Sequence, residues 1–571
     1  MSAANSDRRR PSLVSIASEA LALPIVALSI LSLVSNLLML TGPLFMLQVY
    51  DRVLASQSIP TLIALTLLVG LLFAIYGVVE AVRLRMVLRT GNLIDERIRG
   101  RLFRVAVAAR LGPANAADPL RDGEAIRGFT ASTAILSFFD IPWTPLYVVI
   151  VFLIHPMLGW LAVGGIVVVS LLLILNEFVS KKPSAEVYSI MGQRQNRSDE
   201  AVGNAETVIA MGMISAVQGR WESVTRQLRS FQSVASDRAS GVTSASKSFR
   251  FFLQSAVLAA GAYLVIEGQM SPGAMIAASV ITARALAPVE QMVGHWRSFL
   301  SARQAWSRAI RYFQLPDFEI RDTQLPLPTR TLSVEKVSIA APGSRSVLLA
   351  GLNFEVSSGA GIGIIGPSGS GKTSLARLLV GAWEPTAGDV RWDGASMSQY
   401  DDRQTGRIVG YLPQRVELFE GTIAENIARF THDPSSASVI DAARRAGAHD
   451  LIVSMSHGYD TPVGRNGTLL SAGQQQRIGL ARAVYGRPFL VVLDEPDSNL
   501  DKAGEEALTE CILRLRRAGS IVVVVAHRRS AVEAVDHILV LQSGRQLSFG
   551  EKGRVLDGLS RKVEVAPVPG V

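Results

Sequence analysis

One cysteine in 571 residues excludes an internal disulfide and any metal site built from several thiolates. That residue, Cys511, stands in the helical pattern "ALTECILRLRRAG" and reads as a small packed side chain. Charge is scarce too: 18% of the residues are charged against 49% hydrophobic, which leans away from a soluble enzyme. The deficit is local. Residues 59–79, "IPTLIALTLLVGLLFAIYGVV", carry no charge over about the length a helix needs to cross a bilayer. Residues 21–50 and 141–176 are likewise uncharged and longer, and the second has room for two spans folded back at His155-Pro156. The first apolar run is too long for a cleavable signal and lacks a small-residue cleavage site.

Basic residues are nearly absent from the short turns near Asp51, His155 and Glu267 and abundant in 83–127 and 181–250. The positive-inside rule then puts the N-terminus, with Arg8, Arg9 and Arg10, both long basic segments and the C-terminal half in the cytoplasm. The formal charge of +9 belongs to this topology and does not call for nucleic acid. Six spans are expected at 22–48, 59–80, 134–154, 157–177, 249–267 and 272–293. The last two are short, rich in small residues and interrupted by Arg284, so they should pack closely or line a path rather than face lipid. Segments 81–133 and 178–248 have spaced apolar residues without Pro or Gly clusters, and read as helices continuing out of the membrane.

A proline-rich stretch, "QLPDFEIRDTQLPLPTRT", marks a linker. Beyond it short β-branched runs ("GIGII", "RIVGYL", "FLVVLD", "SIVVVVAH", "HILVLQ") alternate with helical patterns, as in a mostly parallel α/β domain. The expected organisation is an N-terminal segment 1–20, a six-helix transmembrane domain 21–313, a linker 314–331, a nucleotide-binding domain 332–560 and a disordered tail 561–571.

"GPSGSGKT" follows an apolar strand and opens a helix, the context a P-loop demands. Its glycines bring backbone N–H groups to phosphates, Lys372 neutralises β/γ charge, and Thr373 can ligate Mg²⁺. "FLVVLDEP" is a buried strand ending in two acids, which places Asp494 near that metal and Glu495 where it can polarise a water. His527, at the end of "SIVVVVAH", is a candidate γ-phosphate contact. A second anion-binding signature is "LLSAGQQQRIGLARA": Ser471 caps a helix and Gly473 allows close approach of a charge.

These motifs, in this order, resemble the ATPase domain of ABC transporters. "GPSGSGKT" matches the Walker A motif, Gln414 in "GYLPQ" the Q-loop, "LSAGQ" the signature, "VVLDE" the Walker B, "SNLD" the D-loop and His527 the switch histidine. The resemblance implies that Gly366, Pro367, Ser368, Gly369, Ser370, Gly371, Lys372, Thr373 and Ser374 hold ATP, with Ser471, Gly473 and Gln474 of a second copy closing over it. It implies Thr373, Gln414 and Asp494 around Mg²⁺, and Glu495, His527 and Gln414 as catalytic groups. The membrane half is similar to type I secretion permease/ATPases of the metalloprotease-exporting (PrtD) type, in "GPLFMLQVYDRVL", "FFDIPWTPLYVVIVFLIHPMLGW", "NAETVIAMGM" and "ARALAPVEQMVGHWR". The similarity runs from about residue 20 to 560. No peptidase-like domain precedes the first span, which argues against the leader-cleaving subtype.

The fold expected is therefore a membrane α-helical six-span exporter bundle fused to a cytoplasmic α/β P-loop (ABC-type) ATPase domain. The implied function is ATP-driven export of an unfolded polypeptide across the bacterial inner membrane by a homodimer. It would work with a periplasmic membrane-fusion adaptor, an outer-membrane channel and a cargo carrying a C-terminal signal. Export of lipid or small molecules is the alternative, and a non-hydrolysing partner subunit is a further one. Four positions depart from the family pattern: Ala472 in the signature, Arg465 in place of an acid in "GRNG", Lys502 after the D-loop, and no aromatic in "SIAAPGSRS" to stack on adenine. Ala472 is tolerated unless its φ is positive. Asp140, at a membrane border, is a candidate path residue.

Overall fold

The six apolar runs all become helices long enough to cross a membrane, in segments Ala22–Ser56, Ile59–Ala109, Ala134–Ile154, Pro156–Val179, Ile214–Ile266 and Pro272–Tyr312. The computed structural model describes residues 13–109, 118–313, 324–341, 346–526 and 532–564. It divides near residue 318 into two compact units.

In the membrane unit several helices far outrun the bilayer. Ile59–Ala109 has 51 residues, about 75 Å at 1.5 Å per residue against a hydrocarbon core of about 30 Å. Pro156–Gly203 and Ile214–Ile266 are similarly long. The two extramembrane segments are not single helices, however. A fresh helix, Pro119–Thr130, begins after Asp118, whose carboxylate accepts from the Leu120 and Arg121 backbone N–H groups. The second segment breaks at Asn204 and Met213 around the short helix Ala205–Ala210. Spans three and four fold back at His155, whose Nδ1 accepts from Met157 N at 3.2 Å. The third span carries a 3₁₀ turn, Ile141–Trp143, inside "DIPWTP".

The last span is the most buried of the six. Ala277, Ala278 and Ala285 are small enough for Tyr147, Leu158 and Val257 to close on that helix, the packing that small residues permit in membranes. Polar ties secure it along its length. Asp51 accepts from Ser271 Oγ and from Gly273 N (2.8 Å) at its start. Glu290 pairs with Arg250 at 2.9 Å. Glu177 accepts from Trp296 (3.0 Å) and Arg303 (2.6 Å). At its end buried Asp122 receives both Arg308 nitrogens together with the Tyr188 and Tyr312 hydroxyls. Arg101 donates to the Phe313 carbonyl at 2.7 Å. Asp140 is engaged as well: it accepts from Ser32 (2.7 Å), Asn36 (2.9 Å) and Arg83 (2.6 Å). These bonds join the first three spans.

The second unit is built on ten strands: β1 Thr331–Ala340, β2 Val347–Ser357, β3 Gly361–Ile365, β4 Ala387–Trp392, β5 Ala395–Ser396, β6 Val409–Leu412, β7 Leu490–Asp494, β8 Ile521–Val525, β9 His537–Gln542 and β10 Arg545–Glu551. Their order is β5-β4-β1-β2-β10-β9-β3-β8-β7-β6. The five β-branched runs of the sequence are β3, β6, β7, β8 and β9, and all five lie mutually parallel. Strands buried on both faces read as continuous hydrophobic runs for this reason. Alternate residues feed two separate cores. Val491, Leu493, Val522 and Val524 point into one, and Leu490, Val492, Ile521, Val523 and Val525 into the other. The final helix runs to Glu564, past residue 560 where the sequence suggests a tail; residues 565–571 of that tail lie outside the described residues.

Candidate nucleotide site

The β3 strand delivers the chain to residues 366–371 and then to the helix Lys372–Leu379. Gly371, just before the helix, has φ 98°, and a Cβ there would stand 2.4 Å from Leu349 Cδ2, so only glycine fits. Pro367, Ser368 and Gly369 form the exposed crest of the loop, while Ser370 is buried with its Oγ lacking a partner. Lys372 is folded over the loop, its Nζ donating to the Gly366 (2.9 Å) and Pro367 (3.0 Å) carbonyls. Thr373 Oγ1 donates to Asp494 Oδ1 at 3.5 Å, and Ser374 follows on the same helical turn.

Asp494 ends β7, fully buried, and its Oδ2 has no hydrogen-bond partner. Burial pushes its carboxyl above the ordinary range, against the Thr373 hydrogen bond, and neighbouring Glu495 pushes the same way. An orphaned buried carboxylate oxygen opposite a threonine hydroxyl is the donor set Mg²⁺ takes when phosphates complete its shell. Glu495 sits at φ 51°, uncommon for a side chain of its kind, with its N–H bound to the Val525 carbonyl at 3.0 Å. Gln414, in the loop after β6, donates from Nε2 to Glu495 Oε2 at 2.9 Å. Thus Lys372, Thr373, Asp494, Glu495 and Gln414 are linked through one chain of loops. His527 lies outside the described residues.

The signature helix, Ala472–Val484, starts with a capping box: Gln474 N donates to Ser471 Oγ (3.3 Å) and Ser471 N to Gln474 Oε1 (2.9 Å). Ala472 is the first helical residue and is not among those with positive φ, so its methyl group is accommodated. Gly473 serves close approach of backbone: a Cβ would meet the Asn499 carbonyl at 3.1 Å. Arg465 is exposed on a 3₁₀ turn and Lys502 is exposed at a helix start. Residues 342–345 of "SIAAPGSRS" lie outside the described residues.

Three features of this site are absent from the motif reading. Gln476 Nε2 donates to the Pro496 carbonyl (3.0 Å) and Arg477 pairs with Asp501 (2.7 Å), tying the signature helix to the D-loop. Arg429 donates to the Arg482 and Ala483 carbonyls at 3.0 Å each, closing that helix's C-terminal end. Burial pushes its guanidinium down to about 10. Most consequential is placement. Leu375, Ala376, Leu378 and Leu379 of the Walker A helix pack in one core, and Ile478, Leu480, Ala481 and Val484 of the signature helix in the other. The starts of these two helices therefore belong to opposite faces of the central strands.

Comparison with known proteins agrees with this architecture. The family described as ABC transporter matches residues 349–498, and that described as ABC transporter transmembrane region matches 119–289. The chain is 45% identical to the type I secretion system ATP-binding protein PrsD of Rhizobium meliloti (strain 1021), over 95% of this chain and 93% of that one. It is 27% identical to the leukotoxin translocation ATP-binding protein LktB of Mannheimia haemolytica, over 92% and 75%. The cyclolysin secretion/processing ATP-binding protein CyaB of Bordetella pertussis is 28% identical over the same shares. A solved bacterial Atm1-family ABC exporter with ATP bound superposes with a TM-score of 0.82 at 22% identity, covering 96% of this chain and 99% of its own.

Proposed function

The chain belongs to the ABC transporter family, among its type I secretion ATP-binding proteins, and from that premise we propose that two copies together export an unfolded polypeptide across the bacterial inner membrane. It is a multi-pass membrane protein with an ATPase coupled to transport. The observation that carries the export reading is whole-length similarity to a type I secretion protein. The partners are a periplasmic membrane-fusion adaptor, an outer-membrane channel and a secreted protein with a C-terminal signal, with the ATPase unit in the cytoplasm.

The opposite placement of the two helix starts supports the dimer: one copy's P-loop meets the signature of the other, giving two composite sites. In each, residues 366–374 wrap the triphosphate and Lys372 leaves its loop carbonyls for the β/γ oxygens. Ser471, Gly473 and Gln474 of the second copy close from above. Mg²⁺, when bound, would neutralise phosphate charge. Thr373, Asp494 and Gln414 are the residues that would hold it. Glu495, aimed by its positive φ and by Gln414, orients the attacking water and accepts its proton, and His527 contacts the γ-phosphate. Closure moves the Gln414 loop.

The test compares proteins in the culture medium of wild type and of a Glu495→Gln strain at equal expression. Loss of one or a few proteins from the medium, with accumulation inside, is the expected result. An unchanged set of secreted proteins overturns polypeptide export and leaves lipid or small-molecule transport.

A further inference from the structure

Two charge pairs tie the spans together near their ends: Asp140 with Arg83, and Arg250 with Glu290. Arg284 differs. Among the described residues it makes no ion pair; its Nη1 lies 3.8 Å from the Met39 thioether. It stands 12 residues into the last span, about 18 Å from the helix start and inside a core of about 30 Å. Helical side chains tilt towards the N-terminus, so Arg284 reaches towards the middle of the bilayer and away from the nearer surface. A guanidinium facing lipid at that depth costs at least about 2.5 kcal/mol.

Yet Arg284 is exposed, on the most buried of the six spans. It falls in a stripe at helical spacing: half-buried Val280 and Ala287, and exposed Arg284, Gln291, His295 and Ser298. At 1.5 Å per residue Val280, Arg284, Ala287 and Gln291 lie within about 30 Å of the helix start and His295 and Ser298 lie beyond it, so Arg284 and Gln291 are the polar members at membrane depth. A guanidinium left uncovered within one copy at that depth, with Gln291 two turns further along the same face, calls for water beside it. We propose that this stripe lines the aqueous conduit, and that Arg284 is the station that engages carboxylate side chains of the polypeptide in transit. A single fixed cation with no ion pair among the described residues attracts passing anions and binds them weakly enough to release them, which conduction needs. The assignment rests on the polypeptide-export reading.

The test uses the full-length protein in nanodiscs, with fluorescein-labelled Asp-Gly and Asn-Gly repeat peptides of equal length. Wild type binds the acidic peptide more tightly than the neutral one. The Arg284→Gln variant loses a roughly two- to five-fold share of that preference at low ionic strength, Arg284→Lys keeps it, and basal ATP hydrolysis is unchanged in both. A second variant, Arg284→Cys, reacts with a charged, membrane-impermeant methanethiosulfonate, while buried Cys511 does not. An unreactive Cys at 284 places the stripe against lipid or a protein surface and overturns the conduit. An acidic preference equal in wild type and Arg284→Gln, or none in wild type, overturns the carboxylate assignment. Export itself stands or falls separately, on the secretion profile of the Glu495→Gln strain.

Discussion

Gln414 donates to the Glu495 carboxylate at 2.9 Å, across 81 residues of sequence, and so joins the loop after β6 to the acid that follows β7. A carboxylate held this way is oriented before any substrate arrives. Replacing Glu495 by Gln should slow ATP turnover by roughly 100- to 10,000-fold and leave nucleotide binding intact. Replacing Gln414 by Ala keeps the base but not its aim, with a smaller loss, up to roughly a hundredfold. Steady-state hydrolysis beside nucleotide-binding titrations separates the two.

Asp494 predicts a trade between stability and function. Its carboxyl is raised by burial, so its contribution to folding is present below the ordinary carboxylate value and is lost as pH rises through the raised one. At neutral pH the nucleotide-free protein carries that cost. Asp494→Asn should raise the nucleotide-free melting midpoint by a few degrees, with the gain vanishing towards pH 4, while Mg²⁺-dependent hydrolysis is abolished. Calorimetry across pH would show an unchanged or lowered midpoint if the burial cost were absent.

The Asp122 knot should be worth far more than a surface ion pair. Asp122→Ala leaves the Arg308 guanidinium partly buried without its carboxylate, at a cost of about 3–5 kcal/mol; Tyr188→Phe removes one hydrogen bond, about 1 kcal/mol. Burial first, then the Asp122 hydrogen bond, pushes the Tyr188 phenol up to about 12. The stabilisation it gives is therefore present below pH 10 and lost as pH rises through about 12. Thermal denaturation of the full chain in detergent, with ultraviolet titration of the phenol, measures both.

Two adjacent signature residues should respond oppositely. Ala472→Gly, at an ordinary helical position, should leave ATPase activity within about twofold. Gly473→Ala, with its Cβ 3.1 Å from the Asn499 carbonyl, should displace the D-loop and lower activity while costing no more than about 1 kcal/mol of stability in thermal denaturation. Equal effects of the two substitutions would contradict the close approach of D-loop and signature helix.

The features legible in the sequence share one property: their signal is local. Uncharged runs announce the spans, β-branched runs announce β3, β6, β7, β8 and β9, and the P-loop is contiguous. The antiparallel strands are harder because β1 breaks its own alternation: Lys336 has φ 48°, and the register with β2 shifts between Val334 and Val337. The helix start at Pro119 does carry a signal, an Asp-Pro cap, within the segment 81–133. Arg429 and Asp122 carry none. Arg429 meets the signature helix 53 residues on, and Asp122 meets Arg308 186 residues on, distances over which periodicity says nothing.

The last span is clamped at its start by Asp51 and at its end by Arg101. A rod fixed at both tips has little freedom to slide or spin, and what remains is to bow. Pro288, the one proline inside it, supplies no N–H, and the carbonyl it would have served four residues earlier is that of Arg284. The weakest point of the rod's backbone and the guanidinium it carries at membrane depth thus share a residue. Bowing the helix turns that charge without unfastening either end.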